Sequence, residues 1–417
     1  MKALVFDISP ARWALNKAAS LMTRRPVVFA ISPLRLRDRP IPELPNPEWV
    51  RLRTRLGGIC GTDLGLVALR QHPATILQAF AEFPAVLGHE NVSTIDAVGE
   101  SVRRWQVGQR VCVEPAIGCP GRGIDPPCRP CAAGLFSLCE GTGDAAFGAR
   151  PLIGLNRLTG GSWGEYFVAH QSQLFAVPDA VSDDAAVLID PIASAAHAVL
   201  RRPPRDGETV LVNGAGIVAL GIVATIRARG AKNPVTVMAR HEFQAALARR
   251  LGATTVLPAP RGGGQARRYD EVARHVGGKR IAARFGNQAL VGGFDLTYDC
   301  TGSGRGITDA TKWTRSRGAL VLVGTSGIAL IDTTPIWFDE LKIVGANGRQ
   351  IECENGASRH TYNVVFDWIA AGALDLSVIP VTRYRLREYR RALSDLLTRR
   401  RHSVVKAAFD HTSSSFN

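Results

Sequence analysis

The chain has 417 residues, 46% of them hydrophobic and 21% charged, which is ordinary for a globular protein and predicts two domains. The formal net charge is +15, but the arginines are scattered, and the densest run, at residues 399–401, is not interleaved with aromatic side chains. The charge therefore does not indicate a nucleic-acid site. Because no secretory signal or membrane span is predicted either, we expect a cytoplasmic protein without nucleic-acid or membrane partners.

Residues 1–190 are rich in glycine and proline and contain short apolar runs at residues 49–56, 91–98, 110–113 and 166–169. Short strands between turn residues predict a β-barrel or β-sandwich. Near the end of this region Asp183 precedes an apolar run at residues 185–189, which predicts the start of a helix there. Residues 9–38 fit none of the predicted elements.

After residue 190 strands and helices alternate. The predicted strands lie at residues 209–212, 234–238, 295–298, 319–323 and 342–344. The predicted helices lie at residues 192–200, from the glycines to residue 228, at 242–251 and at 362–371. This alternation predicts a doubly wound parallel sheet in an α/β domain.

A glycine-rich turn, GAGIVA at residues 214–219, follows the first of these strands and begins a helix. Gly214 permits a tight turn, Gly216 lets the backbone approach a pyrophosphate, and Ala219 keeps helix and strand close together. Glycine-rich turns also occur for packing reasons. In its strand–turn–helix context, however, the motif predicts a dinucleotide cofactor.

The choice between NAD and NADP depends on the residues that follow the next strand. NAD enzymes place an Asp or Glu about 20 residues after the glycines, where it bonds the ribose 2′-hydroxyl. Here Ala239 occupies that position, and Arg240 offers a charged, bidentate partner for a 2′-phosphate. This favours NADP. The alternative is NAD, with Arg240 solvated and Glu242 contacting the ribose.

Cysteine and histidine in the first half indicate zinc. Cys60 lies in the motif GICGTD at residues 58–63, and His89 lies in GHE at residues 88–90. These are zinc ligands, and an open fourth position would make their site catalytic. Asp63 is either the acceptor for the second ring N–H of His89 or a solvated turn residue.

A second group of cysteines lies in a loop rich in glycine and proline. Its members are Cys119, Cys128, Cys131 and Cys139. Four thiolates at such short separations predict a closed, structural zinc site. The alternative is four unpaired thiols.

Taken in order, GICGTD, GHE, the four cysteines, Asp190-Pro191 and GAG resemble the zinc-containing medium-chain dehydrogenase/reductase family over nearly the whole chain. The resemblance implies a Rossmann cofactor domain at residues 191–346, inserted into a GroES-like catalytic domain made of residues 1–190 and 347–417. It also implies a homodimer or homotetramer. One departure is that eight residues separate Cys119 from Cys128, where the family has two.

By the same resemblance Cys60, His89, Glu90 and Asp190 are expected around the catalytic zinc, with Asp190 binding it directly or through water. Thr62 is expected to take the proton of the substrate hydroxyl while hydride passes to the nicotinamide. The expected function is thus zinc-dependent, NAD(P)-linked oxidation of an alcohol, polyol or sugar hydroxyl.

Two other functions are alternatives to a zinc-dependent dehydrogenase. A zinc-free quinone or enone reductase of the same superfamily would lack the Cys60 and His89 pair. A basic zinc-ribbon protein that binds nucleic acid would suit the four cysteines but would leave the GAGIVA turn without a purpose.

Overall fold

The computed structural model describes residues 1–141, 147–148, 150–259, 264–325, 327–354, 356–398 and 403–412, so the arginine run at residues 399–401 lies outside it. The chain divides into two compact units. The first unit comprises Met1–Asp190, Arg349–Phe366 and Ile379–Asn417, and the second comprises Pro191–Gly348 and Asp367–Val378. In the described residues, no helix is both long and apolar enough to cross a membrane.

The described residues form strands and α-helices in the following chain order. The strands are β1 (Lys2–Phe6), β2 (Leu34–Asp38), β3 (Trp49–Gly58), β4 (Ala85–Val86), β5 (Asn91–Val98), β6 (Arg110–Val113), β7 (Tyr166–His170), β8 (Leu174–Ala176), β9 (Val210–Asn213), β10 (Val235–Ala239), β11 (Thr255–Pro258), β12 (Lys279–Ala282), β13 (Gln288–Val291), β14 (Phe294–Asp299), β15 (Thr314–Leu322), β16 (Lys342–Gly345), β17 (Ile351–Glu354), β18 (Ala357–His360), β19 (Val381–Arg385) and β20 (Lys406–Asp410). The helices are α1 (Pro10–Thr23), α2 (Gly61–Val67), α3 (Arg129–Ala132), α4 (Asp183–Ala186), α5 (Ile189–Arg201), α6 (Ile217–Ala228), α7 (Glu242–Arg250), α8 (Gln265–Val276), α9 (Gly304–Trp313), α10 (Thr334–Phe338), α11 (Thr361–Ala370) and α12 (Tyr389–Leu397).

The first unit is built around a seven-stranded sheet in the order β19-β20-β3-β5-β6-β8, with β7 also pairing with β3. Strand β3 is an inner strand of this sheet, and its residues alternate between the two faces. Val50, Leu52 and Leu56 are fully buried, whereas Arg51 and Arg53 are partly or fully exposed. A smaller sheet of order β2-β1-β4 packs in the same unit. All four apolar runs predicted to be strands here are strands.

The segment that fitted no predicted element, residues 9–38, contains helix α1 and strand β2. The Ser9 hydroxyl caps α1 by accepting from the amide N–H of Arg12 at 3.3 Å, and Pro10 occupies the first turn, where its missing N–H costs nothing. The helix ends at Arg24, which adopts a left-handed conformation with φ of 54°. Strand β2 then pairs antiparallel with β1.

The helix predicted to start from Asp183 is capped one residue earlier. Ser182 accepts from the amide N–H of Ala185 at 3.2 Å, and Asp183 is the first helical residue. The predicted helix start is therefore confirmed, and Ser182 is its N-cap residue. The helix also divides into two, α4 and α5.

The second unit contains a six-stranded sheet in the order β11-β10-β9-β14-β15-β16, and every neighbouring pair in it is parallel. Strand β9 is buried along its whole length, as expected for a parallel strand covered on both faces. The strand order reverses between β9 and β14, which is the position where doubly wound sheets bind ligands. The predicted parallel sheet is confirmed, and β12 and β13 form a separate two-stranded antiparallel sheet in the same unit.

Candidate active site

Three side chains that could hold a metal converge at one end of β3 and β5. One ligand atom from each of Cys60, His89 and Glu90 lies within 4.8 Å of the others. Strand β3 ends just before Cys60, and β5 begins just after Glu90. Because Gly57 pairs with Asn91 in the antiparallel register, the two strands bring these residues together.

Asp63 connects two members of this cluster. Its Oδ2 atom accepts from the backbone N–H of Cys60 at 3.0 Å, and its Oδ1 atom lies 3.5 Å from Nδ1 of His89. Oδ1 of Asp63 and Nδ1 of His89 are both buried, and neither has another hydrogen-bond partner in the described part of the chain. With Nδ1 turned toward Asp63, Nε2 is the ring nitrogen left to bind a metal.

The surroundings of His89 favour positive charge. Burial alone would lower the pKa of His89, but the Asp63 carboxylate and the Cys60 thiol group act against burial and raise it well above its ordinary value. The same negative groups that favour a proton here also favour a zinc ion. Cysteine, histidine and carboxylate together form a donor set that fits zinc.

Glu90 is paired with Lys406, a residue that the sequence reasoning missed. Both side chains are 1% exposed, and the Lys406 ammonium group donates to the Glu90 carboxylate and, at 3.4 Å, to the backbone oxygen of Ile59. Burial raises the pKa of Glu90, and the charge of Lys406 opposes that rise. A lysine at the start of the apolar strand β20 was the available sequence signal, because lysine is almost never fully buried without a partner.

Asp190 lies outside the Cys60, His89 and Glu90 group and belongs to a buried ionic network. Its Oδ1 atom accepts from the Tyr362 hydroxyl at 2.8 Å and lies 3.3 Å from the Arg349 guanidinium. Arg349 also lies 3.4 Å from Glu114, and burial raises the pKa of Glu114 to about 7 against the opposing charge of Arg349. Sequence reasoning did not identify Arg349, Tyr362 or Glu114.

Thr62 is the second residue of helix α2 and is partly exposed. Cys60 immediately precedes this helix as its N-cap residue, so the thiol and the Thr62 hydroxyl are carried by one rigid turn. Thr62 is thus placed two residues from Cys60 at the start of the helix.

The four cysteines of the loop converge on one point. One sulfur from each of Cys119, Cys128, Cys131 and Cys139 lies within 4.8 Å of the others, and the Cys119 and Cys139 sulfurs are 3.7 Å apart. A disulfide requires about 2.05 Å, whereas four thiolates about 2.3 Å from a zinc ion lie about 3.8 Å apart. The backbone N–H groups of Cys128 and Glu140 donate to these sulfurs at 3.3 Å, as they would to thiolates. The donor set therefore fits tetrahedral zinc, with Cys119 as a full member of the group.

The glycine-rich turn of the second unit has the geometry of a dinucleotide site. Gly214 has a φ of 117°, which a residue with a side chain rarely adopts. Gly216 has an ordinary backbone conformation, and a Cβ atom there would meet nothing within 4 Å. Packing therefore does not require this glycine, but a ligand approaching the N-terminus of α6 would. Ala219 is fully buried in α6.

At the carboxyl end of β10, Ala239 is the last strand residue and Arg240 is exposed. Glu242, the acid in the alternative interpretation, accepts from the Arg249 guanidinium at 2.9 Å along helix α7. Its carboxylate is thus directed along its own helix.

Comparison with known proteins follows the same division of the chain. Residues 46–179 match the alcohol dehydrogenase GroES-like domain, and residues 218–371 match the zinc-binding dehydrogenase domain. The L-threonine 3-dehydrogenase of Deinococcus deserti is 31% identical over 315 residues, which cover 75% of this chain and 80% of that protein. A probable D-xylulose reductase A of Neosartorya fischeri is 35% identical over 211 residues, which cover 51% of this chain and 54% of that protein.

Among solved structures, an alcohol dehydrogenase from Escherichia coli CFT073 in complex with NADH has a TM-score of 0.71 at 24% identity, covering 98% of this chain and 99% of that one. That likeness concerns the fold. With the domain matches it confirms the predicted architecture, a Rossmann domain inserted into a GroES-like catalytic domain. The chain therefore belongs to the zinc-containing medium-chain dehydrogenase/reductase family, the nicotinamide-dependent dehydrogenases of alcohols and polyols.

Proposed function

We propose that Cys60, His89 and Glu90 hold the catalytic zinc of this dehydrogenase and that Thr62 takes the proton of the substrate alcohol. The observation that carries the proposal is the convergence of these three ligand atoms within 4.8 Å, next to the turn that bears Thr62. Asp63 positions the cluster by accepting from the Cys60 amide and facing the His89 ring.

The zinc supplies a Lewis acid that polarises the substrate oxygen. Thr62 accepts the hydroxyl proton and passes it toward solvent while the substrate carbon gives up its hydride to the nicotinamide. Asp190 acts through Arg349 and Tyr362, which fix its carboxylate on the buried side of the site. Because Asp190 lies outside the group of Cys60, His89 and Glu90, it would act on the metal site through its hydrogen-bonded partners and not as a direct ligand.

Zinc analysis of single cysteine variants tests this assignment. Cys60→Ser removes a thiolate ligand, so we expect zinc to fall from two ions per chain to one and turnover to be lost, with the fold retained. The matched control is Cys353→Ser, because Cys353 is an exposed cysteine of β17. The assignment fails if Cys60→Ser retains two zinc ions and full turnover.

We propose a structural zinc for Cys119, Cys128, Cys131 and Cys139. Their sulfur spacing and the backbone N–H groups directed at them support it. Such a site closes a loop that has too few apolar residues to form a core.

The proposed cofactor is NADP. Support comes from the absence of a carboxylate at Ala239, the exposed guanidinium of Arg240 beside it, and the engagement of Glu242 with Arg249. We expect kcat/KM to be higher with NADP⁺ than with NAD⁺, and Arg240→Ala and Ala239→Asp each to reduce the preference. A preference for NAD⁺ that Arg240→Ala leaves unchanged would show that Arg240 reads no phosphate.

We also propose a homodimer or homotetramer. Strand β16 is an edge of the second unit's sheet, where Ile343 is 39% exposed, and Trp337 and Phe338 of the neighbouring helix α10 are 79% and 72% exposed. An unpaired strand edge beside such apolar side chains suits pairing with a second copy. Light scattering of wild type and Ile343→Lys tests this, with a monomeric wild type as the contrary result.

The proposed compartment is the cytoplasm. None of the eight cysteines forms a disulfide, and seven of them are buried or partly buried, as expected where cysteines remain reduced. Localisation of a tagged chain by fractionation is the direct test.

A further inference from the structure

The first unit contains a cavity of about 490 Å³ that the zinc cluster and its proton relay do not use. Helix α1, the end of helix α2 and the segment 71–83 enclose it. In the described part of the chain its lining includes no Asp, Glu, Lys or Arg. Apolar side chains form most of the lining, among them Phe6, Ile8, Trp13, Leu66, Leu69, Leu77 and Phe83. Five polar but uncharged side chains also line it, namely Ser9, Gln71, His72, Thr75 and Gln78.

The cavity begins one helical turn from the Thr62 hydroxyl. Within α2, Thr62 and Leu66 are partly exposed, whereas Asp63, Leu64 and Val67 are buried in the core. Residues four apart lie on one face of a helix, about 6 Å apart along its axis. Leu66 lines the cavity, so Thr62 lies one turn away on the same face of the helix.

Helix α1 forms a fixed outer wall. The Lys17 ammonium group donates to the backbone oxygen of Leu69 at 3.1 Å, which ties α1 to the end of α2. The Asn16 amide donates to the backbone oxygen of Ile31 at 3.0 Å, which holds the returning segment against the same helix. Trp13 is thereby held over the cavity.

We propose that this cavity receives the apolar substituent of the substrate, so that the chain oxidises alcohols bearing a long aliphatic or aryl group in preference to small polyols. This inference rests on the proposed function, because the reacting hydroxyl must lie at Thr62. An apolar group gains free energy when the cavity removes it from water. A phosphorylated sugar would place a charge in a cavity lined by no cationic side chain of the described residues, and a small polyol would leave most of the apolar lining uncovered.

The first test is a series of straight-chain primary alcohols from ethanol to 1-octanol, oxidised by the zinc-loaded enzyme with NADP⁺ and with NAD⁺. Burial of each further methylene group should raise kcat/KM about fourfold until the cavity is filled. Xylitol and sorbitol should be poorer substrates than 1-octanol. A kcat/KM that is flat with chain length, or highest with the polyols, overturns the inference.

Filling the cavity from inside tests its position. A Cβ atom at Gly65 would meet nothing within 4 Å, and Gly65 is helical and lines the cavity, so Gly65→Phe can enter it without backbone strain. We expect the ratio of kcat/KM for 1-octanol to that for ethanol to fall at least tenfold. Gly65→Ala adds a single methyl group and should change the ratio far less, which separates filling of the cavity from loss of the fold.

Removing the wall is the complementary change. Trp13→Ala should lower the same ratio, whereas Leu15→Ala on the same helix should not, because Leu15 is 59% exposed and lies outside the cavity. An unchanged ratio in both Gly65→Phe and Trp13→Ala overturns the inference and leaves the proposed function intact.

Calorimetric binding of 1-octanol distinguishes the two failures. If no alcohol is oxidised with either cofactor, the proposed function is wrong, and the inference that rests on it is wrong too. This holds even if wild type binds octanol and Gly65→Phe does not. If ethanol is oxidised but octanol neither binds nor reacts faster, the inference alone is wrong.

Discussion

Replacement of Lys406 by methionine tests the buried ion pair beside the zinc cluster. Lys406 and Glu90 are each 1% exposed, so Lys406→Met keeps the aliphatic stem but leaves a buried carboxylate without its cation. Breaking a buried pair by removing one partner costs about 3–5 kcal/mol. We expect a loss of this size in the free energy of unfolding of zinc-free protein.

The loss should be smaller when zinc is bound, because a divalent cation held by Glu90 supplies positive charge that the lysine no longer provides. If zinc offsets about half of a loss of about 4 kcal/mol, thermodynamic linkage requires the variant to bind zinc about 30-fold more tightly than wild type. The gain in zinc affinity must equal, in free energy, the difference between the stability losses measured without and with zinc, because the four states form one thermodynamic cycle.

The assay is denaturant unfolding of wild type and Lys406→Met with and without a chelator. Loss of the structural zinc cancels, because both proteins receive the same treatment. The matched control is Lys2→Met, whose ion pair with Asp38 is 45% and 78% exposed and should contribute little to stability, because solvent screens exposed charges. Equal losses with and without zinc would show that the Glu90 carboxylate does not face the metal, and the reasoning would be refuted.

Three further outcomes are expected. Burial raises the pKa of Glu114 in the folded protein from 4.5 to about 7. Between these two pH values the folded protein keeps a proton on Glu114 that the unfolded chain has released. The free energy of unfolding therefore falls as the pH rises from about 4.5 to about 7. In unfolding measured from pH 4 to 8, Glu114→Gln should lack this decline, which amounts to up to about 3 kcal/mol. If the free energies of unfolding of wild type and Glu114→Gln changed in parallel with pH, the prediction would be wrong. Cys131→Ser should leave about one zinc ion per chain and lower the thermal unfolding midpoint, and a fully stable variant with two zinc ions would remove Cys131 from the structural site. Thr62→Val should reduce kcat for alcohol oxidation about 10²- to 10⁴-fold and Thr62→Ser much less, and equal rates in wild type and Thr62→Val would exclude Thr62 from proton transfer.

Short-range patterns carried most of what the sequence could predict about the site. Cys60 and Asp63 are three residues apart and His89 and Glu90 are adjacent, so each pair is visible as a motif. The turn from Gly214 to Ala219 was readable because its function is encoded in consecutive residues.

The charged partners of these residues were not readable, because they come from distant parts of the chain. Lys406 lies 316 positions after Glu90, and Tyr362 lies 172 positions after Asp190. Buried lysine and arginine resemble surface residues in a sequence with 51 lysines and arginines. Only the tertiary fold shows which of them are buried.

Helix α1 was missed for a different reason, since its signals were present. Ser9-Pro10 is a helix start, and the following residues favour helix. The family pattern is shorter at this point, so the resemblance predicts no helix here. The start of this helix lines the cavity in the first unit through Ser9, Pro10 and Trp13, so the proposal about the substrate depends on a segment that the sequence pattern left unassigned.

The order of three neighbouring strands explains why the zinc cluster contains a lysine from the end of the chain. Strands β20, β3 and β5 are adjacent, and Gly58 of β3 pairs with Ala408 while Gly57 pairs with Asn91. Each strand therefore places one functional segment at the same end of the sheet. The thiol of Cys60 comes from β3, the His89 and Glu90 pair from β5, and the cation of Lys406 from β20. The final strand thus supplies a positive charge beside the Glu90 carboxylate, and this charge opposes the rise in the Glu90 pKa that burial causes.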